Sequence, residues 1–232
     1  MKEAILLELS FEYNKQQHKI HPTLLVDDRE VMLVDCGYQG FLPKIETEML
    51  KHSIDPKRLT KVFITHHDDD HMGGLFELKM KYPEIQVISG QMESGYISGK
   101  MKSLRLIQAE ELLKTMDEKM RPFGEAFCQR QRELKHVLVD QTVQEGDLLD
   151  ICGGTLVMET PGHMPGHLSL YLKEMDIVIT GDAAVVENNE LHVANPFFTL
   201  DMETAKKSLK RLVDIHAKTY YCFHGGIYQT HQ

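Results

Sequence analysis

The stretch THHDDDHMGG at residues 65–74 constrains this chain more than any other feature. It directly follows the apolar run VFI, which is typical of a buried strand. Positions 66–71 hold three histidines and three aspartates. A solvated polar turn is the simplest interpretation, because charged residues are mostly exposed. So many imidazoles and carboxylates in one turn nevertheless repel or titrate one another unless a cation organises them, which indicates a divalent metal ion.

Length and charge narrow the class of protein. At 232 residues the chain is long enough for one well-buried domain, so we predict a single domain over 1–232. The formal charge of -9 and the lack of a strongly basic stretch argue against nucleic acid as a partner. No run approaches the length of a membrane span, so we expect no membrane partner either. A small-molecule substrate is the remaining expectation.

The location follows from the N-terminus and the cysteines. The first apolar run, at residues 4–7, is too short for the core of a signal peptide. The four cysteines are far apart and form no CxxC pair, which argues against disulfides and against a cysteine-based zinc site. We therefore predict a cytoplasmic protein.

Short apolar runs alternate with helical patterns along the chain. Helical spacing occurs at 42–51 and 74–82, and again after Asp201, which is a plausible N-cap. The alternation predicts a layered α/β fold. Strands are predicted at 4–7, 24–26, 31–34, 62–64, 87–88, 137–139, 148–151, 155–158, 168–172, 177–180 and 220–223.

The segment from about 92 to 131 differs in texture and is predicted to be a helical insertion. It lacks β-branched runs, and its apolar residues recur every three or four positions. An ordinary core helix is one interpretation of this stripe; a lid over the site or the face of a homodimer is the other. The stripe consists of Leu112, Met116, Met120, Phe123 and Phe127.

Three further candidate ligands stand, like the opening motif, where apolar runs end. They are His163 in TPGHMPGH, Asp182 in ITGDAA and His224 in CFHGG. Open α/β sheets place their sites at the edge where strands end, so we expect these turns to meet the THHDDDHMGG turn there.

These motifs, together with Asp35 in LVDCG, resemble the metallo-β-lactamase fold superfamily of hydrolases in content and order. The resemblance covers nearly the whole chain. It implies an αββα four-layer sandwich of two facing sheets with helices outside, and two divalent metal ions, most simply zinc, at one edge. The ligands that it implies are His66, Asp68 and His163 for the first ion, Asp70, His71 and His224 for the second, and Asp182 as the bridge.

Several neighbouring residues receive roles of their own. Asp70 is also our candidate catalytic residue. We interpret His67 and Asp69 as supporting or solvated residues, because the adjacency of Asp70 and His71 fixes the register of the motif. His167 is predicted to support His163 from behind. Asp35 corresponds to a buried structural carboxylate of the family.

Asp68 departs from the family, most of whose members have histidine at this position. An aspartate ligand would make the site less positive, so manganese or iron should bind better here than to an all-histidine version. Asp68→His is accordingly expected to keep the fold and to shift the metal preference toward zinc.

The resemblance implies that a metal-bridged hydroxide hydrolyses an ester, lactone or thioester. Several branches fit less well. Acyl-homoserine lactonases usually have a tyrosine near the position of Val185, the best-known β-lactamases have a cysteine in place of Asp182, and glyoxalase II adds a helical region after the last ligand. A diiron or mono-iron oxidoreductase, or a metal-containing ligand-binding or regulatory module, remain alternatives.

Overall fold

The computed structural model describes residues 2–13 and 15–230. The strands are β1 (Glu3–Leu6), β2 (Leu9–Tyr13), β3 (Gln16–Ile20), β4 (Thr23–Val26), β5 (Val31–Val34), β6 (Lys61–Ile64), β7 (Gln86–Gly90), β8 (Gln141–Val143), β9 (Leu148–Leu149), β10 (Thr155–Glu159), β11 (Leu168–Leu172), β12 (Ile177–Gly181), β13 (Val185–Glu187), β14 (Glu190–His192), β15 (Thr219–Cys222) and β16 (Gly226–Gln229). The helices are α1 (Leu42–Lys51), α2 (Asp69–Met72), α3 (Leu75–Lys81), α4 (Gln91–Ile97), α5 (Leu104–Thr115), α6 (Arg121–Glu133) and α7 (Met202–Val213), with a 3₁₀ turn at Pro56–Arg58.

Two six-stranded sheets form the centre of the fold. The first has the order β1-β4-β5-β6-β7-β8 and the second the order β16-β15-β12-β11-β10-β9. Successive side chains of a strand point to opposite faces. In the first sheet one set, including Met32 and Phe63, packs against Val157 and Leu170 of the second sheet. This shared apolar layer holds the two sheets face to face.

Helices cover the two outer faces. Leu33 and Val62, which alternate with the inward set, pack in one buried cluster with Ile45 of α1 and Leu75 of α3. Leu212 of α7 belongs to the cluster that covers the outer face of the second sheet. The predicted αββα sandwich is therefore confirmed.

Strand direction determines where the site lies. β5, β6, β7 and β8 run parallel in the first sheet, and β12 and β15 run parallel in the second. The carboxyl ends of parallel strands meet at one edge of a sheet. The turns after Ile64, Gly181 and Cys222 all begin at such ends.

Some local predictions were wrong. The run 137–139 is not a strand: the Val137 N–H donates to the carbonyl of Ile97 at 3.2 Å, and Leu138 is exposed. Pairing with β7 begins only at Gln141. The hairpins β2–β3 and β13–β14 were missed. The sequence of β3, QQHKI, contains no apolar run, and β13 has only the pair Val185 and Val186.

The predicted insertion is helical and comprises α4, α5 and α6, between β7 and β8. α5 and α6 pack through Leu106, Ala109 and Cys128, with Phe127 of the predicted stripe packed against this cluster. Because the chain leaves the helix between 115 and 121, the apolar period does not run along one helix, and Met120 and Phe123 are exposed. That this surface is the contact face of a homodimer remains a prediction.

Candidate metal centre

The structure brings all seven predicted ligands to the same edge of the sandwich. β6 is followed by the turn that carries His66 and Asp68, and the short helix α2 then carries Asp70 and His71. The other three follow β10, β12 and β15: His163, Asp182 and His224. Their ligand atoms form three overlapping groups, and within each group the atoms lie within 4.8 Å of one another.

The first position consists of His66, Asp68 and His163, all of which are buried. Asp68 Oδ2 lies 3.0 Å from Nε2 of His163 and 3.5 Å from Nε2 of His66. Burial lowers the pKa of His66 well below its ordinary value, so this imidazole stays neutral and its ring nitrogen can act as a ligand.

The second position consists of Asp70, His71 and His224. Asp70 Oδ2 lies 3.1 Å from Nε2 of His224 and 3.8 Å from Nε2 of His71. Asp70 and His224 are partly exposed, whereas His71 is buried. The second position is therefore the more accessible of the two.

Asp182 stands between the two positions. Its Oδ1 lies 3.2 Å from Nε2 of His71 and 3.6 Å from Nε2 of His224, and its Oδ2 lies 3.4 Å from Nε2 of His163. Burial raises the pKa of Asp182, but His224 and His71 outweigh it and hold the pKa well below its usual range. Each oxygen of an ionised carboxylate thus faces a different position, as a bridging ligand requires.

Unsatisfied buried atoms test whether metal ions fit here. Within the described ranges, Nε2 of His66, Nε2 of His71 and Oδ1 of Asp182 are buried without a hydrogen-bond partner. Such atoms are costly and rare in native proteins. All three are ordinary zinc ligands, and a divalent cation at each position would satisfy them. The donor set therefore fits two ions.

The sequence also matches a known family. The family profile described as "Metallo-beta-lactamase superfamily" aligns with residues 19–224, a span that includes every one of these ligands. The chain belongs to the metallo-beta-lactamase superfamily. Most members of this superfamily are hydrolases. The chain has the fold of the superfamily and a His/Asp cluster that could hold metal ions.

Relatives within the superfamily are distant. The "Probable metallo-hydrolase YflN" of Bacillus subtilis is 24% identical over 208 residues, which cover 84% of this chain and 75% of the relative. A hydroxyacylglutathione hydrolase of Nitrobacter winogradskyi is 27% identical over 69% of this chain and 49% of its own length. An N-acyl homoserine lactonase of Bacillus thuringiensis is 34% identical over 40% of this chain and 39% of its own length.

A solved structure agrees on the fold. A metallo-beta-lactamase family protein of Thermus thermophilus superposes with a TM-score of 0.70 at 22% identity, covering 97% of this chain and 74% of that one.

Two residues outside the candidate metal centre, Asp35 and His167, contact its ligands and orient them. Asp35, at a positive φ of 59°, accepts hydrogen bonds from the backbone N–H of Thr65 and from Nδ1 of His71, at 2.9 and 2.8 Å. This contact turns the His71 Nε2 lone pair toward the centre. Asp35 therefore has the structural position that was predicted for it.

His167 supports a different ligand from the one predicted. Its Nε2 accepts the backbone N–H of Asp182 at 2.9 Å, and its Nδ1 lies 2.9 Å from Oγ1 of Thr160. Burial lowers the pKa of His167 to about 3, so it is a neutral acceptor. A Cβ on Gly181 would lie 2.6 Å from His167 Nε2, so only glycine allows this approach.

The middle of the THHDDDHMGG motif contacts the helical insertion. His67, which is buried, pairs through Nδ1 with Glu93 of α4, and its Nε2 accepts the N–H of Leu104 at 3.2 Å. Asp69 forms a 2.6 Å ion pair with Arg130 of α6. His67 and Asp69 are thus supporting residues that fasten the insertion to the site.

Asp68 makes the third of these contacts. Its carboxylate accepts two hydrogen bonds from Arg105 of α5, Oδ1 from Nε at 2.9 Å and Oδ2 from Nη2 at 2.6 Å. Burial opposes ionisation of Asp68, but Arg105 and His163 hold its pKa well below the usual range. The sequence does not identify Arg105, Glu93 and Arg130 as residues of the site, because nothing in a helical segment marks which of its charged side chains turn inward.

An open cleft of about 560 Å³ leads to the centre. Asp182 and His224 line it, together with Tyr38, Phe127 and Phe198. Because Phe127 belongs to α6, the insertion forms one side of the cleft. Charged and polar side chains, such as Asp69, Arg130 and Glu187, share the lining with apolar ones, so the cleft offers both polar and apolar contacts to a small molecule.

Among the described residues, no helix combines the length and hydropathy that a membrane crossing requires.

Proposed function

We propose that this chain is a metal-dependent hydrolase that cleaves an ester, lactone or thioester of a small molecule. The observation that carries the proposal is the convergence of seven candidate ligand side chains, several with unsatisfied buried atoms. Five of the seven line an open cleft. The relatives named as a metallo-hydrolase, a hydroxyacylglutathione hydrolase and a lactonase support the same reaction class. We also propose a cytoplasmic location.

We infer the cofactors from the donor set. We propose two divalent ions, zinc in the first instance and manganese or iron as alternatives, held in the two positions described above and bridged by Asp182. When bound, such ions supply Lewis acidity and make water a nucleophile at neutral pH.

We also propose that Asp70, a candidate ligand of the second position, is the catalytic residue. Its side chain is partly exposed at the cleft, so its carboxylate can accept a proton from an attacking water. The phenylalanines that line the cleft favour a substrate with an apolar acyl portion.

Tyr38 is our candidate for the group that stabilises the oxyanion. Burial, together with the charges of Asp70 and Asp69, raises the pKa of Tyr38, so its phenol keeps the proton and can donate it in a hydrogen bond. It would supply the phenol that acyl-homoserine lactonases usually have near the position that Val185 occupies here.

Tyr38→Phe is expected to lower kcat about a hundredfold, the usual effect of removing one oxyanion donor, while metal content stays unchanged. Steady-state kinetics and metal analysis would measure both. Tyr82→Phe, which removes a phenol hydrogen-bonded to Glu46, is the matched control and should be silent. An unchanged kcat in Tyr38→Phe would remove this residue from the reaction.

A substrate panel tests the proposed function itself. The protein, purified with its native metal, is assayed against esters, lactones and thioesters, then treated with a chelator and reloaded with zinc, manganese or iron. We expect turnover of at least one substrate class, loss of turnover with the chelator and recovery with metal. Tight ligand binding without hydrolysis would favour the binding module, and oxygen-dependent turnover restored only by iron would favour the oxidoreductase.

A further inference from the structure

Arg105 lies in the first metal position without being one of its ligands. Its side chain is only 2% exposed, and it donates both Nε and Nη2 to Asp68 in the bidentate geometry of a strong ion pair. The remaining side of the guanidinium is also held: Nη1 donates to Gln108, and the ring of Phe198 lies 5.3 Å away. The arginine is therefore a built part of the site.

The guanidinium uses the atoms that a metal ion would need. Nη2 lies 2.6 Å from Oδ2 of Asp68 and 3.2 Å from Nε2 of His163, so its two hydrogens can point at both lone pairs. A zinc ion needs the same atoms at about 2.0–2.2 Å. Nε2 of His163 has a single lone pair, so the guanidinium and the ion exclude one another from this atom. Oδ2 of Asp68 has two lone pairs, and there the positive charge of the guanidinium opposes the approach of the ion.

The third ligand shows that the arginine is an incomplete substitute. Nε2 of His66 has no hydrogen-bond partner among the described residues, although it faces the same group. The guanidinium thus satisfies two of the three ligand atoms, whereas an ion would satisfy all three. The Arg105 guanidinium and a metal ion would therefore contact the same atoms of Asp68 and His163.

The second position has no comparable competitor. In the part of the chain that the structure describes, the ion-pair partners of Asp70 and Asp182 are histidines, with no lysine or arginine among them. Among the described residues, an arginine or lysine therefore contacts the carboxylate of the first position but not the carboxylates of the second.

We propose that Arg105 is an internal competitor for the first metal ion, so that the two positions fill unequally. The second position fills first; the first fills only as Arg105 withdraws from Asp68 and His163. The apparent affinity of the first position for the ion equals its intrinsic affinity multiplied by the fraction of molecules in which Arg105 has withdrawn. This inference rests on the metal centre of the proposed function and adds a link between metal occupancy and helix α5.

Zinc titration of the metal-free protein by calorimetry, with a competing chelator, tests the competition without any substrate. We expect two steps in the wild-type protein, with the weaker at least about tenfold weaker than the stronger. In Arg105→Met, which keeps much of the apolar stem, the weaker step should tighten by about tenfold or more. Arg105→Lys, a point charge without the planar fork, should give an intermediate affinity and serves if the methionine variant does not fold.

Arg132→Met is the matched control, because it removes an arginine of the same insertion whose partner, the surface carboxylate Glu110, lies outside the three ligand groups. It should leave both steps unchanged. Hydrogen–deuterium exchange over residues 104–115 supplies a second readout and should rise as the weaker step fills.

Two equal steps that neither Arg105 variant alters would overturn the competition while leaving the metal centre intact. Absence of any zinc binding to the wild-type protein would overturn the centre itself, and the competition with it.

Discussion

Replacing Asp182 with alanine is expected to remove at least one metal equivalent per chain and to reduce turnover to that of the metal-free protein. Oδ1 faces His71 and His224 of the second position and Oδ2 faces His163 of the first, so both positions lose a ligand in one substitution. Asp68 and Asp70 would remain, one carboxylate for each position, but the carboxylate that contacts both positions is lost. Mass-spectrometric metal analysis after dialysis, together with kcat, would measure both losses.

Asp150→Ala is the control for Asp182→Ala. It removes an equivalent carboxylate from the surface, where Asp150 forms an exposed ion pair with Arg29. Metal content and turnover should be unaffected. Circular dichroism of both variants checks the fold. Full metal content in a folded Asp182→Ala protein would show that Asp182 does not bridge the positions.

The convergence of the seven candidate ligands could be predicted from sequence because their turns stand where apolar runs stop. A run such as Val62–Ile64 predicts a buried strand, and the parallel pairing of β5, β6 and β7 sends their ends to one edge. The order of the motifs then assigns positions. Neither step requires a contact between distant side chains.

The contacts of the insertion could not be predicted in this way. Asp68 and Arg105 are far apart in sequence, and their pairing depends on how α5 packs beside the turn. Helical periodicity reports which face of a helix is apolar, but it does not report which charged residue turns inward. Arg105 and Glu93 are both buried, against the ordinary tendency of their residue types.

Arg105 also changes the expected net charge of the first metal position. The sequence predicted that Asp68 makes the site less positive than a histidine would. The guanidinium offsets that negative charge, so while the ion pair persists, Asp68 and Arg105 together are as neutral as one imidazole. A preference for manganese or iron therefore depends on Arg105 withdrawing from the pair.

The same pair alters the expected result of Asp68→His. We now expect this substitution to lower the free energy of unfolding of the metal-free protein by about 3–5 kcal/mol, because it leaves the buried guanidinium beside imidazoles and without its carboxylate. Urea denaturation would measure the loss. The double variant Asp68→His/Arg105→Leu, which removes the stranded charge as well, should recover most of it.

Asp69→His provides the comparison for Asp68→His, since it breaks the neighbouring contact of the same motif with the same replacement. Its partner Arg130 has a side chain that is 42% exposed, so water can solvate the freed charge. The expected loss is about 1 kcal/mol or less. If Asp68→His costs no more than Asp69→His, Arg105 leaves its buried position readily, and the ion pair is not what fastens α5 to the metal centre.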